Sequence, residues 1–234
     1  MKKKSKRMKR ASELIQSDRL YNLEDGIGLL KEYSTSCAAK FDETVDVVFK
    51  LGVDPRQSDQ MVRGAVVMPS GMGREVKVAV FIKQERVGEA EKAGADLFGE
   101  VELIDEVKSG VINFDVCVAT PDMMPKIAVL GKVLGPRGLM PNIKLGTVSD
   151  DVAEAVRRIK SGQVEYKVEK AGLVHAAVGK LSFSQDALKA NVVALYKSIL
   201  ASKPATSKGI YMQKMFLSST QGPAIELDLR NMID

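Results

Sequence analysis

Between positions 75 and 119, continuous apolar runs alternate with segments of helical periodicity. The runs EVKVAVFI and DVCVAT are typical of buried strands. Between them, ERVGEAEKAG and VELIDEVKSG predict two short helices that end at Gly94 and Gly110. Strands joined through helices of this length pair in parallel, with right-handed crossovers. The middle of the chain is therefore predicted to be a small α/β domain of Rossmann-like type.

The flanking sequence alternates between apolar and polar residues with a period of two. This period predicts half-buried strands of the antiparallel type. It occurs in five segments: 44–51, 163–170, 173–183, 210–219 and 224–229. One long amphipathic helix interrupts them, predicted to run from an N-cap at Ser184 to about Ser202, with Pro204 after its end.

Strand-rich segments at both ends surround the α/β block, and this order predicts an inserted domain. Residues 1–69 and 161–234 would form one discontinuous domain, an antiparallel sheet with helices, and residues 70–160 the inserted α/β domain. The chain would cross between them at Met68–Gly73 and Lys160–Gln163, where glycines allow it to reverse. Two adjacent crossings predict a hinge. A single mixed sheet with plain turns at these positions is the alternative.

Positive charge is concentrated at the amino terminus. The net charge is +5, whereas residues 1–12 alone carry seven Lys or Arg residues and no acid. The rest of the chain is thus slightly acidic, and an anionic partner must be bound by a local basic patch together with this arm. The arm is predicted to bind phosphate groups, with a disordered solubilising segment as the alternative.

Few residues are suited to catalysis or to metal binding. Cys37 and Cys117 are far apart and outside any CxxC pair, so no disulfide framework is predicted. The single histidine, His175, is predicted to be a packed or hydrogen-bonded residue of a strand. No catalytic residue, metal site or cofactor is predicted. Because no apolar run approaches the length of a bilayer crossing, a cytoplasmic protein without a membrane partner is expected.

A nucleotide-binding enzyme built on the central α/β domain is the alternative function. Gly71 and Gly73 precede their strand rather than follow it, and no third glycine completes GxGxxG. LGKVLGPRGLM contains glycines and cations but no Ser or Thr that could bind magnesium. No acid–base pair accompanies either segment, so little supports this alternative.

The segment VLGKVLGPRGLMPNIKLGTV, residues 129–148, is too rich in Gly and Pro for one helix and too apolar for an ordinary solvated loop. It is predicted to be a rigid, irregular surface element from which Lys132, Arg137 and Lys144 project. The predicted inward anchors are Leu134, Leu139, Met140 and Leu145. A purely structural Gly/Pro loop is the alternative.

Within this segment, LGPRGLMPN followed by KLGTV closely resembles the signature of the large-subunit ribosomal protein L-one family. Further segments that resemble the family occur in its order at Ala39–Gly64, Tyr166–Phe183 and Ser218–Pro223. On these segments the chain is identified as a member, of bacterial or organellar type. Gln221 and Glu169 depart from the family's usual Met and Asp.

The resemblance implies a structural ribosomal protein with two hinged domains, ribosome-associated and monomeric when free. Its partners would be large-subunit ribosomal RNA at the mobile stalk and deacylated tRNA leaving the exit site. A third partner would be its own messenger RNA, whose translation it would repress.

The resemblance also implies which residues contact RNA. A Lys-Phe-x-x-Thr element and a Thr-x-Gly turn map onto Lys40, Phe41, Thr44, Thr220, Gln221 and Gly222. Strand lysines that a hairpin could bring together are added: Lys167, Lys170 and Lys180. In the second domain, Lys132, Arg137 and Lys144 are the candidates for the backbone of tRNA or ribosomal RNA. The alternatives are a core aromatic for Phe41, an ordinary hairpin turn for Thr220 and Gly222, and solvated strand lysines.

Overall fold

The computed structural model describes residues 6–16, 19–37, 39–230 and 232. Within them the helices are α1 (Lys6–Leu14), α2 (Leu23–Ser36), α3 (Val87–Lys92), α4 (Val101–Lys108), α5 (Met124–Ile127), α6 (Gly131–Leu134), α7 (Val152–Lys160) and α8 (Gln185–Ala201). The strands are β1 (Thr44–Leu51), β2 (Arg63–Val67), β3 (Val78–Phe81), β4 (Leu97–Gly99), β5 (Val116–Ala119), β6 (Gln163–Lys167), β7 (Leu173–Lys180), β8 (Met212–Ser219) and β9 (Ala224–Leu227). Short 3₁₀ turns occur at Ser58–Gln60, Gln84–Arg86, Pro121–Met123, Ala128–Leu130 and Ile143–Leu145.

The chain divides into two compact units. One contains residues 1–73 and 164–234, and the other contains residues 74–163. The predicted boundaries, after residues 69 and 160, lie a few residues before these divisions. The predicted fold class is confirmed, since the first unit carries an antiparallel sheet and the second a parallel one.

The first unit is built on a four-stranded antiparallel sheet in the order β7-β1-β8-β9. Alternate residues of a strand face opposite sides of the sheet, so the period-two pattern decides which side chains are buried. In β1, Val45, Val47 and Phe49 are fully buried, whereas the residues between them are partly exposed. The buried face shares one core with α2 and α8, which contribute residues such as Ile27 and Leu195.

The long helix α8 is confirmed close to its predicted bounds. Ser184 is its N-cap, because the Ser184 Oγ accepts a hydrogen bond from the N–H of Ala187 at 3.2 Å. Its buried residues recur at helical spacing and include Leu188, Val192 and Ile199.

Asn191 is a fully buried polar residue of α8. Its Oδ1 accepts a hydrogen bond from the N–H of Ser70 at 3.0 Å. Its Nδ2 donates to the carbonyls of Gly71 at 3.0 Å and Val178 at 2.7 Å. Three backbone groups thereby gain a hydrogen-bond partner, and the contact with the Val178 carbonyl is fully buried. Asn191 therefore fastens the segment that leaves the first unit to α8 and β7.

The second unit contains a three-stranded parallel sheet in the order β4-β3-β5. Both faces of this sheet are covered, as is usual for parallel sheets. One face packs against α4 and the helical turns between positions 121 and 134, and the other packs against α3 and α7. The predicted parallel pairing is confirmed, and Gly94 and Gly110 follow their helices with φ of +80° and +90°. The three-residue strand β4 is absent from the sequence prediction because it is too short to show a period.

Helices α1 and α2 are also absent from the sequence prediction. α1 begins at Lys6, within the basic arm, and Ala11 is buried in it. The alternative of a disordered solubilising segment is therefore wrong for the part of the arm that the structure describes. Lys2, Lys3 and Lys4 lie outside the described residues.

His175 lies on the outer face of β7. Its side chain is 49% exposed, and its Nε2 is 3.9 Å from the Oε2 of Glu169, which is too long for a hydrogen bond. The prediction of a packed histidine is wrong, because the alternation of β7 buries Val174 and Ala176 on the opposite face. Cys117 is buried in β5, and burial raises the pKa of its thiol.

Replacing Asn191 with alanine should lower the free energy of unfolding of the first unit by about 2–4 kcal/mol. The reason is that the N–H of Ser70 and the carbonyls of Gly71 and Val178 lose their partner. Urea unfolding followed by circular dichroism measures the change. Lys197→Ala, at an exposed position of the same helix, is the control and should cost less than about 0.5 kcal/mol. Equal stability of the two variants would contradict the role assigned to Asn191.

Candidate nucleic-acid interface

The start of β1 and the end of β8 meet at one end of the antiparallel sheet. The N–H of Thr220 donates to the carbonyl of Thr44 at 3.1 Å, and the N–H of Thr44 donates to the Oγ1 of Thr220 at 3.1 Å. Lys180, at the end of β7, donates from its Nζ to the Oγ1 of Thr44 at 2.9 Å. Three residues that are distant in sequence are thus joined by hydrogen bonds.

Lys40 and Phe41 lie on the exposed surface just before β1. The Phe41 side chain is 57% exposed, which excludes the alternative of a core aromatic. The next residue fixes the segment, since the carboxylate of Asp42 accepts hydrogen bonds from the N–H of Ser182 at 3.2 Å and from its Oγ at 2.7 Å. The ring of Phe41 is therefore presented to solvent beside a fixed backbone.

The turn after β8 carries the other predicted contacts. Gln221 is exposed and has a φ of +56°, in the left-handed region that non-glycine residues rarely adopt. The N–H of Gly222 donates to the carbonyl of Ser219 at 2.8 Å. A Cβ added at Gly222 would lie 2.3 Å from the Ser219 Oγ and 3.1 Å from the Ser219 carbonyl oxygen, so a larger residue here would force the turn or the Ser219 side chain to shift.

These residues form what we call the Thr44–Thr220 cluster. Its members are Lys40, Phe41, Thr44, Lys180, Thr220, Gln221 and Gly222.

Lys167 and Lys170 do not lie in this cluster. Lys167 ends β6, and Lys170 is in the turn that leads to the first residue of β7, Leu173. Because β7 is extended, Leu173 and Lys180 are roughly 24 Å apart along the strand. Of the three predicted strand lysines, the structure brings Lys180 alone into the cluster. A role of Lys167 and Lys170 in RNA binding stays a prediction for a separate surface.

Below the cluster lies a group of buried polar residues that sequence patterns do not reveal. Glu43 is 1% exposed and forms an ion pair with Arg7 of α1. The guanidinium of Arg7 also lies over the ring of Tyr33, 5.1 Å from its centroid, and its Nη1 approaches the carbonyl of Thr220 at 3.5 Å. Burial raises the pKa of Tyr33. In sequence, Arg7 is one cation of a basic run and Glu43 one acid before a strand, so nothing connects them.

The cluster contains a few cations, and the acidic residues beside them already have partners. Lys40 and Lys180 supply positive charge, while Asp42 is bound by Ser182 and Glu43 by Arg7. Asp46, the next residue after Thr44 on the outer face of β1, is half buried. Burial raises its pKa, and the charges of His175 and Lys180 oppose the rise. The surface is therefore polar and only modestly positive.

Comparison with known proteins identifies the family. Residues 30–223 match the profile of the Ribosomal protein L1p/L10e family. The chain is 52% identical over 227 residues to the large ribosomal subunit protein uL1 of Rickettsia canadensis (strain McKiel), an alignment that covers 97% of this chain and 94% of that protein. It is 51% identical to the uL1 of Nitrosomonas eutropha over 234 residues, the full length of both chains. The chain belongs to the ribosomal protein L1 family.

Membership of the L1 family makes the chain a structural ribosomal protein, and the alternative of a nucleotide-binding enzyme is set aside. In the part of the chain that the structure describes, no group of three or more His, Cys, Asp or Glu side chains could hold a metal ion. In the same part, no helix is long and apolar enough to span a bilayer.

The second unit of this L1-family chain presents the other predicted cations. Lys132, Arg137 and Lys144 are all exposed. Lys144 lies in a 3₁₀ turn capped by Asn142, whose Oδ1 accepts a hydrogen bond from the N–H of Lys144 at 2.8 Å. Gly146 ends this turn with a φ of +70°.

The predicted anchors of this segment are confirmed. Leu134 and Leu145 are buried, and Leu139 and Met140 pack against the core that contains Leu134. The irregular form is confirmed for positions 135–148 but is wrong for 129–134, which continue the helical turns that start at Pro121.

Gly222→Ala should destabilise the first unit by about 1–2 kcal/mol, because the added methyl group overlaps the Ser219 Oγ. Ser219→Ala alone should change stability by less than about 1 kcal/mol, since its buried Oγ has no hydrogen-bond partner among the described residues. The double variant should therefore recover much of the loss. Urea unfolding of the three variants tests this. Strictly additive losses would show that the overlap is not the cause.

Proposed function

We propose that the chain binds large-subunit ribosomal RNA through the Thr44–Thr220 cluster. The observation that carries the proposal is the assembly of the Lys-Phe-x-x-Thr element, the end of β7 and the Thr-x-Gly turn into one exposed, hydrogen-bonded surface. The known relatives are named as large-subunit proteins, which supports ribosomal RNA as the ligand.

Each part of the cluster supplies a different interaction. Lys40 and Lys180 attract phosphate groups. The Thr44 hydroxyl accepts from Lys180 and keeps its hydrogen, so it can donate to a phosphate oxygen or a 2′-hydroxyl. The Thr220 hydroxyl accepts from the N–H of Thr44 and donates to the carbonyl of Thr44 at 3.4 Å, so its remaining lone pair can accept from a 2′-hydroxyl. Phe41 offers an exposed ring for a base or a ribose. A folded RNA, with sugars and backbone turned outward, matches this set better than a regular duplex.

The second unit extends the proposal to tRNA. Lys132, Arg137 and Lys144 are exposed cations on a segment whose apolar side chains anchor it. Such a surface suits a sugar–phosphate backbone without reading its sequence. We assign to it the contact with deacylated tRNA leaving the exit site, with a hinge at the two crossings that lets the unit follow the tRNA.

Repression of translation of its own messenger RNA is the third part of the proposal. It requires that the leader of that message present the same folded RNA shape to the Thr44–Thr220 cluster. One surface would then serve both RNAs, and the two would compete. The repressor would act in the cytoplasm as a monomer not bound to the ribosome.

The purified protein should bind a stalk-like ribosomal RNA more tightly than an unrelated duplex, with log affinity falling linearly with log salt. A filter-binding titration at several salt concentrations measures both quantities, and the leader of its own message serves as a competitor. Equal affinity for the stalk-like RNA and the duplex would show that the protein has no site specific for the stalk-like RNA. No binding at any salt would favour a scaffold that makes no RNA contact.

Phe41→Ala should weaken binding to the stalk-like RNA by about 1–3 kcal/mol through the loss of a stacking surface. Because the ring is 57% exposed, the stability of the folded protein should change little. Ile210→Ala is the matched control, an apolar side chain that is 76% exposed just before the opposite end of β8. An unchanged affinity for Phe41→Ala would mean that the ring does not touch the RNA.

A further inference from the structure

Glu43 is a buried carboxylate in the segment that carries Phe41 and Thr44. Its side chain is 1% exposed, and its backbone carbonyl accepts a hydrogen bond from the N–H of Leu181 at 2.9 Å. Removing a charge from water is costly unless a partner of opposite charge replaces the solvent. Arg7 is that partner, through its ion pair with the Oε1 of Glu43. Undocking of α1 would leave the buried Glu43 carboxylate without its counter-charge, so the docking of α1 adds to the hydrogen bonds by which Ser182 and Leu181 hold the segment before β1.

Arg7 contacts three other parts of the first unit at once. It is part of α1, its guanidinium covers the ring of Tyr33 in α2, and its Nη2 binds Glu43. Its Nη1 points to the carbonyl of Thr220, in the turn that ends β8. One planar side chain thus links both segments of the Thr44–Thr220 cluster to the helices beside them. Arginine is suited to this because its fork offers several donors in fixed directions.

The surroundings of Arg7 argue against a direct contact with phosphate. Its side chain is 23% exposed, its charge is compensated by Glu43, and one face of the guanidinium lies on Tyr33. Its Nε is buried. Lys40, in contrast, lies on the exposed surface of the cluster. Arg7 therefore differs from Lys40 in what it can do.

We propose that Arg7 and Glu43 are positioning residues of the RNA interface. Their ion pair holds the segment 40–44 and the turn 220–222 in their observed arrangement, so that RNA affinity depends on the docking of α1. This inference rests on the proposed function, because it assigns to the pair an effect on RNA binding by the Thr44–Thr220 cluster.

The test compares Arg7→Met, Glu43→Gln and the double variant in the full chain, with the stalk-like RNA as the probe. Each single variant should lose affinity, by about tenfold or more for Arg7→Met, because breaking one partner of a buried pair leaves the other uncompensated. The double variant should be no weaker than Arg7→Met, since the two changes remove one interaction. Arg7→Lys should restore the affinity only in part, because lysine lacks the fork.

Two control variants separate positioning from charge. Lys3→Met removes a charge from the same arm and shows the effect of losing an ordinary cation, a salt slope shallower by about 0.7–0.9 if that cation binds a phosphate. Arg7→Met should leave the salt slope unchanged. Glu13→Gln removes an acid from an exposed position of α1 and should leave the affinity unchanged.

The direction in which Glu43→Gln changes the RNA affinity distinguishes a positioning role of Arg7 from direct phosphate binding. If Arg7 bound phosphate directly, removing the acid beside it would raise RNA affinity. Arg7→Met would then also make the salt slope shallower, as the loss of a phosphate contact does. Either result overturns the proposal. An Arg7→Met variant that binds the stalk-like RNA as tightly as the wild type would also overturn it.

Hydrogen exchange of the free protein gives a readout that does not depend on RNA. The amides of Thr44 and Thr220, which bond across the two segments, should exchange faster in Arg7→Met than in the wild type, while amides in the middle of β1 stay protected. Unchanged exchange would overturn the inference. If the wild-type protein fails to bind the stalk-like RNA, the proposed function fails, and the exchange rates alone decide whether Arg7 holds the segments together.

Discussion

The register of β1 against β8 is the constraint on which the candidate interface depends. Val45 pairs with Ser219, so Thr44 and Thr220, 176 positions apart in sequence, become hydrogen-bonded neighbours. A shift by one residue would turn Thr44 inward and Val45 outward, because side chains alternate along a strand. Each buried side chain of β1 that such a shift exposed would cost roughly 1.5–3 kcal/mol. The core of the sheet therefore determines the position of polar groups that lie outside it.

The same sheet explains how a second unit can be inserted into the first. The core around β1, β7, β8 and β9 draws its described residues from both ends of the chain and none from 74–163. The chain leaves and returns through β2 and β6, which pair as a two-stranded sheet. Asn191 fixes the departing segment by satisfying three of its neighbours' backbone groups.

Patterns that are local in sequence predict most of the strands and α8, but contacts between distant segments decide the rest. The period of two identifies β1, and Ser184 marks the start of α8. α2 escapes prediction because Gly26 and Gly28 lower its helix propensity. A Cβ at Gly26 would lie 2.6 Å from Leu227, so this glycine serves the packing of α2 on β9, which only the folded chain shows.

The candidate site follows the same division between local and distant information. An aromatic residue before a strand is as consistent with a core position as with the exposed position that Phe41 occupies. Lys180 and Lys170 look alike in sequence, and only the pairing of Lys180 with Thr44 separates them. The ion pair of Arg7 and Glu43 joins two residues that both read as surface charges. Resemblance to the family is enough to predict the Thr-x-Gly turn, whereas the residues that hold it in place can be identified only in the folded structure.

The slightly acidic charge of residues 13–234 limits the ways in which the proposed interface could select an RNA. Dense positive charge binds any phosphate backbone, so selectivity must come from fixed polar groups rather than from net charge. The contact between Lys180 and Thr44 provides one. Because the Nζ of Lys180 donates to the Thr44 Oγ1, it occupies a lone pair of the hydroxyl and leaves the hydroxyl hydrogen to be donated elsewhere. The lysine thereby orients a donor as well as supplying charge, and an RNA that lacks an acceptor at that point gains only the charge.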